Sequence, residues 1–527
     1  MRITRFALLP LLLLASMCSA PVSADDSCNP TVACSTVCDN SNNTCSCSHT
    51  FFRPRPLSQN SVLELGLQQY QLNHPIHDDC PPSVSVQLSG FYYRSTSRSN
   101  LAPYFLPKCK CSISIGQNNT SDISSVNLNL LTNILTGAQP FSSTLSLSPR
   151  RTVYGGAAKF YIDLGGWMQD LHACLAHMWF SAFVPVVHVK HDIGVCETRP
   201  ANAGILTEAN NFVISDAIRA FNNPAWAFGK IAPCSLSRTG VDDVNLKLGF
   251  GWLYEPDYKI DVYGVAFIPC GKKTRSHADF LFEPVLGAGH FGLGAGLNFD
   301  FTIWNCDDSY LNILGDIRYG YFFKRKEVRS IDLTNSEWSR YLLVAPVTDP
   351  NNPKPGINAM TRNVDVKPRG TVDAWLALHY QHCSFNFELG YDLWWRQREQ
   401  ICLPACSGAC PINQFVIFDF NGCRCNTATS TSTATISQGV PNTPGLPALT
   451  NAPVSDATIT PITDSKFNLD SAATPRALSS TVYGSIGYNI DWFTYGMMMG
   501  FGASYEIGHR HAALSQWGVW FKTDISF

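Results

Sequence analysis

Charged residues placed at every second position are the part of this sequence best equipped for chemistry. Lys247, Lys259, Asp261, Asp300, Asp316, Arg318, Glu388, Asp392, Arg396 and Glu506 share a parity with small or polar neighbours, and the positions between them are apolar. Side chains two apart on an extended chain point the same way. Rings of such charges around a narrow aqueous passage set its field and sort small polar solutes. The most regular of them, Lys247, Asp300, Asp316, Arg318, Glu388, Asp392 and Arg396, are the candidate pore-lining set. The same groups could instead pair across the passage and close it, and the sequence leaves both outcomes open.

The other reactive residues are 20 cysteines, a number typical of export to an oxidising compartment, where disulfides are the default. Cys109, Cys111, Cys196, Cys234, Cys402, Cys406, Cys410, Cys423 and Cys425 fall on long connections and are the disulfide candidates, with Cys270 on the same side. Cys28, Cys34, Cys38, Cys45, Cys47, Cys80, Cys174, Cys306 and Cys383 group with the short connections, and their odd number suits intermolecular cross-linking. Cys402-x3-Cys406-x3-Cys410 with Cys423-x-Cys425 has zinc-ligand chemistry, but no histidine stands at a fitting spacing, so no metal site is expected. There is no G-x-S-x-G elbow and no H-E-x-x-H motif. His290 and His509 read as rim histidines rather than catalysts, and His511 falls in the final outer loop. In the glycine-rich stretch Gly287-Ala288-Gly289 and Gly292-x-Gly294-x-Gly296, the period of two from Gly292 continues as a strand and never opens a helix, so it lacks the geometry that cradles a phosphate. No catalytic residue, enzyme activity or cofactor is expected.

The elements that must carry these residues are long strands. From Phe291 to Trp304 one parity reads Phe291, Leu293, Ala295, Leu297, Phe299, Phe301 and Ile303, and the other Gly292, Gly294, Gly296, Asn298, Asp300, Thr302 and Trp304. Such runs are predicted near 83–94, 152–165, 172–188, 243–254, 259–269, 289–304, 310–324, 370–380, 384–396, 480–490, 493–507 and 514–527. Globular strands average about 5–6 residues, whereas a strand crossing a bilayer at a tilt needs about 9–11. Charge on the inward parity would not survive in a dry sandwich core. Connections alternate between short turns and long loops (95–151, 189–242, 325–369 and 397–479), the pattern of a membrane barrel. Composition agrees: 15% charged and 12% aromatic residues suit neither an ordinary soluble domain nor a helical membrane protein. The expected fold is all-β: a transmembrane antiparallel up-and-down barrel of about twelve strands with long, disulfide-rich outer loops.

Arg2 and Arg5 precede an apolar run from Phe6 to Ala15 and a Val22-Ser23-Ala24 cleavage signal, so residues 1–24 are expected to be a signal peptide. Residues 25–82 are expected to be a Cys-rich periplasmic segment, linker-like around Arg53-Pro54-Arg55-Pro56, and 83–527 the barrel. The final strand aligns Trp517, Val519, Phe521, Thr523, Ile525 and Phe527. This resembles the C-terminal signal by which bacterial outer-membrane barrels are recognised for assembly, with Phe521, Ile525 and Phe527 as its residues and Thr523 as a departure from its most apolar form. The architecture from about residue 83 and the cysteine richness resemble porin-like and cysteine-rich major outer-membrane proteins of intracellular bacteria.

The resemblance implies the outer membrane of a Gram-negative-type bacterium, contact with its lipid and with the barrel-assembly machinery, and disulfide-linked or trimeric self-association. With the leader removed the net charge is about −4, which leaves no basic surface for nucleic acid. The expected function is porin-like, passive passage of small hydrophilic solutes combined with a structural role in the envelope. The alternatives are a surface adhesin or antigen with a closed lumen whose outer loops bind host molecules, and a soluble Cys-rich secreted β protein.

Overall fold

The computed structural model describes residues 23–24, 47–67, 84–96, 101–116, 125–127, 134–135, 142–164, 177–199, 206–208, 213–214, 216–255, 257–271, 278–306, 309–349, 354–404, 414–417, 461–492, 495–509 and 512–526. Phe527, Cys406, Cys410, Cys423, Cys425, His511 and most of the expected leader lie outside them.

Twelve strands pair antiparallel in sequence order: β1 (Val84–Ser95), β2 (Arg150–Asp163), β3 (Met178–Asp192), β4 (Val244–Glu255), β5 (Tyr258–Ile268), β6 (Gly292–Cys306), β7 (Ser309–Phe322), β8 (Arg369–His382), β9 (Phe385–Arg396), β10 (Ala477–Trp492), β11 (Tyr495–His509) and β12 (Gln516–Ser526). The sheet closes where β12 pairs with β1, from Ser526 opposite Ser85 to Gln516 opposite Ser95. Closure leaves no edge, so the backbone groups of the wall are satisfied without water. Two short pieces extend the wall: Leu236–Val241 continues the pairing of β4 with β3, and Ser23–Ala24 pairs with Ser237 and Leu236. Those two residues precede the expected cleavage point and would be absent from a processed chain.

The twelve expected runs correspond one for one to β1–β12. The largest boundary error is β3, expected at 172–188 and found at Met178–Asp192, where both parities are apolar and alternation gives no register. Trp304 was expected to face inward. A β-bulge between Thr302 and Trp304 shifts the register by one, and its side chain is 46% exposed on the outer face.

The wall is inside-out relative to a soluble protein. Leu389, Ile486, Phe501 and Val519 stand exposed on the outer face, while Asp316, Arg318, Glu388, Asp392 and Lys522 are buried inside. A contiguous apolar exterior of this extent belongs in contact with lipid. Glycines on the inner parity make room for aromatic neighbours: a Cβ on Gly390 would lie 2.3 Å from the Tyr483 ring. Among the described residues no helix is long and apolar enough to cross a membrane.

At one end four pairs of consecutive strands are separated by two residues each, at 256–257, 307–308, 383–384 and 493–494. At the other end the long connections form a cap with its own apolar core, including Phe105, Phe221, Trp226, Trp338, Tyr341, Ile357 and Val364. Trp226 stacks on Tyr341 with ring centroids 5.2 Å apart. Within the cap, Arg325–Ser330 pairs with Thr361–Lys367, which pairs in turn with Gln400–Cys402.

Residues 47–67 depart most from expectation. They were expected as an extended segment outside the barrel, on the side of the short turns. Instead the chain passes through the lumen from the long-loop end, where Cys47 is disulfide-bonded to Cys109 of the first long connection, toward the short-turn end, where β1 begins. Arg53, Arg55, Asn60, Ser61 and Glu64 of this segment are all buried. Cys47 therefore belongs to the opposite end of the barrel from the one its neighbours in sequence suggested.

Candidate functional site

The lumen and the segment inside it form one polar network. Pro54 and Pro56 keep the first part extended, with Pro56 at φ −66° and ψ 150°. Asn60 then caps a short helix, α1 (Ser61–Leu65), by accepting from the Leu63 N–H at 3.2 Å. In an extended stretch residues two apart share a side, so Arg53 and Arg55 enter successive acidic pockets of the surrounding wall and cap.

Arg53 sits at the junction with the cap. Its guanidinium lies 2.9 Å from Glu327 and 3.4 Å from Glu399, and donates to the Ala288 carbonyl at 2.6 Å. Arg329 and His290 also contact Glu327, at 2.6 and 2.8 Å. Burial pushes the Glu327 carboxyl up, but Arg53 and Arg329 outweigh it and hold the group well below the usual carboxylate range. Arg55 lies deeper, 2.6 Å from Asp392, 3.1 Å from Asp373 and 3.9 Å from Glu506, beside the Trp394 ring.

Farther along, the Leu57 and Ser58 N–H groups donate to Asp242 at 2.8 and 3.1 Å, and Trp394 donates to the Gln59 side chain at 2.9 Å. Ser61 donates to Asp373 at 2.9 Å. Glu64 binds Lys247 at 2.6 Å and Arg318 at 2.9 Å. Lys159 donates to the Glu64 carbonyl at 3.3 Å and Lys522 to the Gly66 carbonyl at 2.7 Å. The Leu67 N–H ends the series on Glu388, which also accepts from Tyr483 at 2.6 Å and contacts His379 at 3.2 Å.

All seven candidate pore-lining residues face this interior. Lys247, Arg318, Glu388 and Asp392 bind the segment, and Arg396 donates to the Arg53 carbonyl at 2.8 Å. Asp316 accepts from Tyr263 at 2.9 Å and Asp300 from Asn312 at 2.8 Å, within the wall itself. What they meet in this structure is protein rather than an open water column. Sequence reasoning missed Arg53, Arg55, Glu64, Asp242 and Asp373. The available signal was Arg-Pro-Arg-Pro followed by a capped apolar turn, which a solvated linker has no need of.

Among the disulfide candidates, Cys109 is bonded to Cys47, and Cys111, Cys196 and Cys234 are also disulfide-bonded. Cys402 departs from expectation and carries a free thiol, as do Cys270 and Cys383. Cys402 ends a cap strand, where it stands opposite Asp365. In the assembly strand, Phe521 and Ile525 stand on the outer face at 37% and 41% exposure. Among the described residues no group of three His, Cys, Asp or Glu side chains is placed to hold a metal ion.

The cap contributes a pH-sensitive group. Burial pushes the Glu283 carboxyl up to about 7, against the pull of Arg238 at 3.1 Å. A raised carboxyl contributes stability that is present below its ordinary pKa and lost as pH rises through the folded value. The cap is therefore expected to melt at a higher temperature at pH 5 than at pH 8. Glu283→Gln should flatten that difference by several degrees, as read by near-UV circular dichroism in detergent; an unchanged pH slope would assign the effect elsewhere.

Strand pairing and site together define the class: a closed twelve-stranded antiparallel β-barrel with an apolar exterior and a charged lumen occupied by a segment of its own chain. No protein-family model matches the chain, and no curated protein matches it. Among solved structures it is similar to an outer membrane channel from Pseudomonas putida (9% identity, 86% of this chain and 99% of that one, TM-score 0.36). It is also similar to the beta domain of the Bordetella autotransporter BrkA (8% identity, 84% and 100%, TM-score 0.29) and to a Pseudomonas aeruginosa FadL homologue (7% identity, 91% and 99%, TM-score 0.27).

Proposed function

We propose that this chain is a gated channel of the outer membrane of a Gram-negative-type bacterium, held shut by residues 47–67. The observation that carries this reading is what fills the lumen: a tethered segment of the same chain, held by many buried ion pairs and hydrogen bonds around an apolar cluster in which Leu57, Val62, Leu63, Leu65 and Leu67 pack against Trp375, Tyr483 and Trp520. A lumen meant only to stay solid could extend that apolar cluster and has no need of so many buried ion pairs, which roughly break even against their desolvation. The apolar exterior supports the membrane location. Short turns face the periplasm in barrels of this kind, which puts the cap and Cys47 on the outer side. The reading keeps the porin-like architecture and the small hydrophilic solutes expected from sequence, and replaces unobstructed passive passage with gated passage.

A second reading is favoured by the ordered cap with its own apolar core: a surface barrel whose lumen stays closed and whose outer loops bind host molecules. Planar-bilayer recording on refolded protein separates the two. Wild type is expected to be silent, and the double variant Arg53→Ala/Arg55→Ala to show discrete current steps. Silence of both, with the double variant still folded, would sink the channel reading and leave the cap as the functional part.

A further inference from the structure

The environment of Arg55 is a receptor for a planar cation, and apart from the Gln59 carbonyl its partners belong to the barrel wall. Asp373 on β8, Asp392 on β9 and Glu506 on β11 converge on one guanidinium from three strands of the wall, at 3.1, 2.6 and 3.9 Å. Trp394 supplies an aromatic face, with the guanidinium carbon 5.8 Å from its ring centre. These four wall residues are at most 6% exposed. The wall cation paired with these carboxylates is Arg318, 3.2 Å from Asp373 and shared with Glu64, while Arg396 lies 5.4 Å from the centre of the Trp394 ring and Arg151 lines the same pocket as Glu506. Without Arg55 the pocket would hold three buried carboxyl groups with only Arg318 in an ion pair with them, a state that favours uptake of a cation.

Shape narrows the cation. The two amino nitrogens of Arg55 reach different carboxylates, Nη1 to Asp392 and Nη2 to Asp373, while Nε and Nη2 donate to the Gln59 carbonyl at 3.0 and 2.6 Å. That arrangement suits a flat fork and not a tetrahedral ammonium. We propose that Asp373, Asp392, Glu506 and Trp394 form a binding site for guanidinium-type cations, which Arg55 fills from within the same chain and which takes a free guanidinium compound when Arg55 is absent. The site lies on the lumen wall, so guanidinium-bearing solutes are the class this barrel would recognise with the segment displaced. The binding site stands whether or not the barrel conducts.

Chemical rescue tests it in the full-length chain. Arg55→Ala protein in detergent is melted with methylguanidinium, with ethylammonium of the same charge, with urea of the same shape, and with sodium chloride. Methylguanidinium at about 20 mM is expected to raise the melting temperature by several degrees over the sodium chloride control, with ethylammonium and urea giving little. Wild type, whose site is filled, should show no such gain, and Arg55→Ala/Asp392→Asn should lose most of it. Should Arg55→Ala not fold unaided, the refolding yield gives the same information, since methylguanidinium alone should restore it. Equal effects of methylguanidinium and ethylammonium would overturn the proposal. So would no effect on melting, or on refolding yield under conditions where Arg55→Lys folds normally.

Discussion

Arg55→Ala is expected to turn a silent barrel into one that conducts in discrete steps. The residue holds the lumen segment through two short ion pairs, and its removal strands Asp373, Asp392 and Glu506 in a space closed to water. Deleting one partner of a buried pair costs about 3–5 kcal/mol, because the remaining charge is left desolvated. If that loss falls on the plugged state alone, the plugged-to-open ratio drops by about two to three and a half orders of magnitude, at roughly 1.4 kcal/mol per tenfold. Carboxylates freed by opening regain water, so the open state is spared the penalty. Arg55→Lys should open less often, since it keeps the charge and loses the fork. Adding Asp392→Asn to Arg55→Ala should restore part of the closure by removing one of the repelling carboxylates, which a double-mutant cycle on open probability would measure. A folded Arg55→Ala barrel that stays silent would mean that Arg53, Glu64 and the backbone contacts to Asp242 and Glu388 suffice to hold the segment.

The barrel was legible in the sequence because each wall strand separates lipid from lumen, and that demand writes a period of two into every one of them. Phe385 to Arg396 shows it plainly: Phe385, Phe387, Leu389 and Tyr391 face out, and Asn386, Glu388, Asp392 and Arg396 face in, as alternation requires. The reading failed where alternation carries no information. The β3 strand is apolar on both parities, and the bulge before Trp304 inserts a residue that no pattern announces. The lumen was only half legible for a deeper reason. Parity tells which charges face inward, but their partners come from Arg53, Arg55 and Glu64, in a short stretch with no strand-length alternation whose wall contacts lie from 95 to 460 residues away. Prolines and polar residues there read as a solvated linker, since sequence alone does not say that the solvent is the inside of a barrel. The same blind spot put Cys47 at the wrong end: its position follows from the path of residues 47–67, and the path follows from pairings visible only once the barrel has closed.

Arg55→Ala and Glu64→Ala remove opposite charges, yet both are expected to open the barrel to the same ionic preference, for cations. The two residues belong to one short segment whose anchors are linked. Ser61 and Arg55 share Asp373, and Arg318 bridges Asp373 to Glu64. Loss of either anchor therefore loosens the other, and the segment should leave as a unit. What remains is the same wall in both variants. It carries Asp242, Asp261, Asp300, Asp316, Asp373, Glu388, Asp392, Glu506 and Asp524 against Arg151, Lys159, Lys247, Lys259, Arg318, Arg396 and Lys522, an excess of negative charge in a confined passage. Such an excess raises the local concentration of cations and excludes anions. The measurement is the reversal potential of single channels in a potassium chloride gradient. Matching cation-selective values would mean that the segment is displaced whole and the wall sets the selectivity. Opposite signs would mean that each substitution opens a gap beside a segment still in place, with the variant's own missing charge deciding what passes, and the gate would then be a local loosening rather than a withdrawal.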